Sequence, residues 1–142
     1  MAILDRELEE AIRASEAALE KLEKAKASLE SASGWGIFDI IGGGFISSAV
    51  KHSKVQQARN LFNEARNAVA VFVDELDDVT EFTDVDIDTG DALKVFDIFL
   101  DNVFVDILAQ KKIREAADHV DRCIFQVRTV QAELIARYHS LY

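Results

Sequence analysis

The chain has 142 residues and a formal charge of −10, from 26 acidic and 16 basic side chains. Apolar residues make up 49% of it, proline is absent and cysteine occurs once. That composition excludes a disordered chain and an internal disulfide, disfavours non-specific binding to nucleic acid or anionic lipid, and points to one all-helical domain over residues 1–142.

The opening segment, MAILDRELEE, reaches acidic residues at once and lacks a basic region, so no signal peptide is expected. From Leu4 onward apolar or small residues step alternately by four and three: Leu4, Leu8, Ala11, Ser15, Ala18, Leu22, Ala25, Leu29 and Ala32. This is the a/d seam of a helix packed at a shallow angle against another. Half of the seam is Ala or Ser, which lets a partner backbone come close. Glu9–Arg13, Glu20–Lys24 and Lys26–Glu30 stand at i,i+4 and support an exposed face. Gly34 stands where a helix C-terminal glycine belongs, so this helix is expected to stop there after roughly 45 Å.

The next stretch, GWGIFDIIGGGFISSAVKH, holds five of the six glycines and the only tryptophan. It reads as a reversal, with Gly34, Trp35, Gly36, Asp39, Gly42, Gly43 and Gly44 as a structural loop. Folded back as a plug, it would place Trp35 against the third and fourth helices near Phe99, Val103 and Ile107. The glycines do not form a nucleotide motif. The dinucleotide fingerprint needs glycine where Asp39 stands, and a P-loop needs Gly-Lys-Ser/Thr where this chain has Gly44-Phe45-Ile46. A weak anion site remains conceivable from Ser47, Ser48, Lys51 and His52 at a helix start. The plainer reading is that the glycines only let the backbone turn.

A second helix is expected from Gly44 or Phe45 to about residue 79. Its seam is Ala58, Phe62, Ala65, Val69, Phe72, Leu76 and Val79, widened by Leu61 and Ala68. A short connection makes two long helices antiparallel neighbours. The following acidic stretch lacks a helical stripe. Phe82, Val85 and Ile87 are expected to pin it to the bundle end, with Asp88 or Thr89 capping the next helix. Asp84-x-Asp86-x-Asp88-x-Gly90 resembles the start of a calcium loop, but its glycine is one place late and its twelfth position is Val95.

Residues 92–108, ALKVFDIFLDNVFVDIL, carry a polar strip of only Lys94, Asp97 and Asp101. The spacing predicts a third helix of about nineteen residues, roughly 28 Å long and buried on several sides, with a break between about Asn102 and Gln110. The last helix has the seam Ile113, Ala117, Val120, Ile124, Val127, Gln131, Leu134 and Tyr138. The fold expected is an antiparallel up-down-up-down four-helix bundle with long coiled-coil-like helices and a short third helix.

No catalytic set emerges. Glu115 and His119 are four apart, not the three of a di-metal Glu-x-x-His motif, and no second copy exists. Cys123 lies beside Ile124 on the apolar side of its helix, a core position rather than a nucleophile. Neither an enzyme nor a bound metal or cofactor is expected. The segment GIFDII resembles the opening of short amphibian membrane-active peptides, but three glycines follow here where those peptides carry lysines.

The pattern G-W-x-x-x-D-x-x-G-G-G, then Lys51-His52, then FLDNVFVDILAQKKI, resembles a family of uncharacterised bacterial helical proteins. Trp35, Asp39, Gly42, Gly43, Gly44, Lys51, His52, Asp101, Asp106 and Ile113 carry the resemblance. It implies an all-helical fold and no assigned activity. The functional expectation is a cytoplasmic, non-enzymatic module that binds another protein or itself as a homodimer, with no nucleic-acid partner. The alternatives are membrane association through the Gly34–Val50 tip and, more weakly, a small-ligand or metal binder.

Overall fold

The computed structural model describes the backbone of residues 2–42, 48–83, 87–101, 106 and 113–141. Side chains are described over the same residues apart from 2, 30–42, 48–55, 58 and 113. Among the described residues four helices run over α1 (Ala2–Gly42), α2 (Ser48–Phe82), α3 (Ala92–Leu100) and α4 (Ile113–His139). No strand occurs among the described residues, so the chain is all-α there. Going round the molecule, neighbours run α1–α2–α3–α4 and back to α1.

The heptad steps of α1 and α2 are the packed seam. Leu8, Ala11, Ser15, Ala18, Leu22, Ala25 and Leu29 of α1 are buried, as are Phe62, Ala65, Val69, Phe72, Leu76 and Val79 of α2. A fully buried Leu, Val or Phe contributes about 1.5–3 kcal/mol before ordering entropy is subtracted. In α4, Val120, Ile124, Val127 and Leu134 are buried as read, whereas Ala117, Gln131 and Tyr138 are only half-buried. A second row, Ala116, Cys123 and Val130, is buried as well. The stripe is wide because α4 packs on both α1 and α3.

Polar contacts fix the pairing of helices. From α1 to α4, Tyr138 Oη donates to Glu9 at 2.7 Å and Gln131 Nε2 to Ser15 Oγ at 2.9 Å. Arg128 meets Glu23 at 2.7 Å and Lys26 meets Asp121 at 2.8 Å. Residue numbers on α4 fall as those on α1 rise. Ser15 and Gln131 lie on the two seams, so a satisfied polar pair marks the register inside an otherwise apolar contact. Glu9–Arg13 and Glu20–Lys24 form along α1 as read, at 4.0 and 3.2 Å. Lys26 reaches across to Asp121 of α4.

Helix ends depart most from the sequence reading. α1 does not stop at Gly34. It continues through Gly34 and Gly36 to Gly42, 41 residues in all and about 60 Å long. With no proline to break it, the chain keeps its hydrogen-bond ladder through each glycine at a propensity cost of about 1 kcal/mol. The expected starts of α2, Gly44 and Phe45, lie outside the described residues. At its far end α2 runs on to Phe82, which is 58% exposed and pins nothing. Ile87 is buried as expected, and Val85 lies outside the described residues.

α3 is capped by Asp91, without a side-chain cap bond, not by Asp88 or Thr89. Asp88 Oδ1 instead accepts from Gly90 N at 3.0 Å, closing a turn in which Gly90 takes φ +49°. That left-handed turn, which suits glycine, pushes the helix start on to Ala92. α3 then has nine residues rather than about nineteen. Asp101 is extended, at φ −82° and ψ 161°. Arg66 of α2 donates to the carbonyls of Phe99 at 3.2 Å and Leu100 at 2.6 Å. A guanidinium on the last carbonyls suits the negative end of the helix and ends it one residue before the expected break. Ala92, Phe96 and Phe99 are buried, with the Phe96 ring edge-on to Phe72 at 5.9 Å. The polar strip of Lys94, Asp97 and Asp101 is exposed as read, but Leu93 and Ile98 on its rims are exposed too, so α3 is buried along one face rather than on several sides.

Candidate functional site

The glycine-rich segment is not a folded-back loop over its first half. Gly34, Trp35, Gly36, Asp39 and Gly42 are all positions on the last turns of α1. Gly43, Gly44 and Ser47 lie outside the described residues. Ser48, Lys51 and His52 lie on the first turns of α2, but their side chains, like that of Trp35, lie outside the described residues. The same holds for Val103 and Ile107, so the plug contact and the anion site both fall outside them. No helix among the described residues is long and apolar enough to cross a membrane.

The chemistry that the described residues do assemble is elsewhere, at the α1–α2 contact. Glu7 and Glu10, three apart on α1, and Glu75 on α2 bring carboxylate oxygens within 4.8 Å of one another. Sequence and packing explain why. Glu7 directly precedes the seam residue Leu8, and Glu75 directly precedes the seam residue Leu76. Lys21 occupies the equivalent place two heptads after Glu7, and it meets Glu64 of α2 at 3.5 Å. Where the Lys21 row finds an opposite charge, the Glu7 row finds a like one.

The electrostatics are unfavourable as they stand. The Glu7 side chain is only 9% exposed, and its Oε2 is buried without a hydrogen-bond partner. Glu75 Oε2 is likewise buried and unpartnered. Arg6 Nη2, 4.0 Å from Glu7 Oε1, is the cation beside them, and it is largely exposed. Two carboxylates this close repel by roughly 3–4 kcal/mol at an effective dielectric of about 20. Burial, and then the charges of Glu10, Asp78, Glu7 and Asp74, push the Glu75 carboxyl above its ordinary value of 4.5. A cluster of this kind takes up a proton or a cation.

Two other features bear on chemistry. Cys123 is fully buried, and burial pushes its thiol up to about 12, so it packs in the core rather than attacking a substrate. A shallow groove between α1 and α4 is lined by Glu9, Ile12, Arg13, Ile135, Tyr138 and His139 among others. The Tyr138–Glu9 hydrogen bond crosses it.

The sequence reading missed the carboxylate cluster. A signal existed in the row flanking the α2 seam, Leu61, Ala68 and Glu75, where the third member turns acidic. Only the pairing of α1 with α2 reveals that Glu7 faces it. No family model, curated protein or solved structure matches the chain.

Proposed function

We propose that the chain is an antiparallel up-down-up-down bundle of four helices that works by binding, not by catalysis, and that its most direct partner is a second copy of itself. The direction of the bundle is supported by the α1–α4 pairs, by Lys21–Glu64 and Glu10–Glu75 between α1 and α2, and by Arg66 at the end of α3. In this reading the protein is cytoplasmic.

The observation that carries the binding reading is the set of large apolar side chains left open on three helices. Phe125 of α4 is 66% exposed and Val71 of α2 52%, with Leu93 and Ile98 of α3 at 40% and 42%. Single exposed apolar residues are ordinary, but an exposed mid-helix phenylalanine with further aliphatics around α3 is what an interface core contains.

Sedimentation equilibrium tests it. The expected result is a mass approaching twice 15.8 kDa as concentration rises, reverting toward one chain in F125S/I98S. A single-chain mass at every concentration would overturn the proposal. Pelleting with liposomes would transfer the reading to the membrane alternative.

A further inference from the structure

We propose that Glu7, Glu10 and Glu75 form a divalent-cation site, fitted to calcium, that clamps the first turns of α1 to the last turns of α2. Four observations carry it. Three carboxylates on two helices converge. One of them, Glu7, is more than nine-tenths buried, and its Oε2 has no hydrogen-bond partner. On the facing helix the half-buried Glu75 also holds its Oε2 buried and without a hydrogen-bond partner. Among the described residues, Arg6 is the cation with an ion pair to the cluster, at 4.0 Å from Glu7.

The chemistry selects the ion. The donors are all carboxylate oxygens, which suit hard cations and not zinc or copper. Oxygens on opposite sides of a calcium ion lie about 4.8 Å apart, twice a bond of about 2.4 Å. The three oxygens lie within 4.8 Å of one another, inside that span, and the flexible shell of calcium adapts to their arrangement. Magnesium, with bonds of about 2.1 Å, demands a strict octahedron and gives up its waters reluctantly. Three protein ligands leave the rest of the shell to water, which sets affinity in the range of roughly 10⁻⁴–10⁻³ M.

The site is distinct from the binding surface proposed above and stands independently of it. The test is a calcium titration of the full chain, freed of metal with chelator, at matched ionic strength. It is followed by amide NMR shifts and by thermal melting. The expected result is saturable shifts centred on Glu7, Glu10 and Glu75, with calcium bound more tightly than magnesium. At about ten times the dissociation constant the melting temperature should rise by about 5 °C. E7Q and E75Q keep the side-chain shape while removing a ligand charge, and each should lose most of the rise, while E20Q on the exposed face of α1 keeps it. Absence of saturable shifts on wild type would overturn the site. So would shifts centred on Ile87–Asp91 instead, or a rise undiminished in E7Q and E75Q.

Discussion

Phe72→Ala puts the seam reading under its hardest load. Phe72 is fully buried on α2 and meets the Phe96 ring edge-on at 5.9 Å with an interplanar angle of 69°. Truncation to alanine removes the apolar transfer and leaves a cavity, for about 3–5 kcal/mol. The lost ring pair accounts for about 0.5–1.5 kcal/mol of coupling, which a double-mutant cycle with Phe96→Ala isolates. For a chain of this length the unfolding entropy at the midpoint is roughly 0.3 kcal/mol/K, so 4 kcal/mol lowers the melting temperature by about 13 °C. Phe125→Ala is the control, because Phe125 is two-thirds exposed and its loss should change monomer stability by no more than about 0.5 kcal/mol. Urea melts with unchanged slope give the comparison. Equal midpoints for the two variants would refute the burial pattern of the seams.

Leu22→Asp and Val127→Asp each place a carboxylate at a fully buried seam position and should cost several kcal/mol, read as loss of cooperative melting. Arg66→Ala leaves the carbonyls of Phe99 and Leu100 without their charged donor, at about 1–3 kcal/mol, and Lys, which lacks the fork, should rescue little. Faster amide exchange confined to Phe96–Leu100 is the expected readout. Glu75 supplies a pH prediction. Its folded pKa is raised above 4.5 by burial, by Glu10 and Glu7 of α1 and by Asp78 and Asp74 of its own helix, with the Arg6 cation 4.0 Å from Glu7. The folded state therefore holds this proton more tightly, and the associated stability is full below pH 4.5 and lost as pH rises through the raised value. In chelator, E75Q should be more stable than wild type at pH 7, with the gap closing toward pH 4.

The helical seams were readable because their steps of four and three persist over several heptads, and Leu8 to Leu29 of α1 and Phe62 to Val79 of α2 on those steps are buried, with Leu4 half-buried. Helix ends were harder. A glycine such as Gly34 fits either a helix stop or a helix interior, and its neighbours Trp35, Ile37 and Phe38 do not decide between the two. The short α3 follows from a contact 34 residues away in sequence, the Arg66 side chain on the Leu100 carbonyl, which no local pattern encodes. The wide burial of α4 arises in the same way, since Ala116, Cys123 and Val130 join the core of a helix that packs on both α1 and α3. The carboxylate cluster joins residues from the start of α1 and the end of α2, so it becomes visible only when the helices are paired.

Binding through open apolar side chains is tested most directly by hydrogen–deuterium exchange on dilute and concentrated protein, at roughly 1 and 100 µM. The account predicts that concentration adds protection on the exposed faces around Leu93–Ile98 of α3 and Phe125 of α4, and that F125S/I98S removes it. Identical exchange at both concentrations would contradict it, as would new protection confined to residues 34–50.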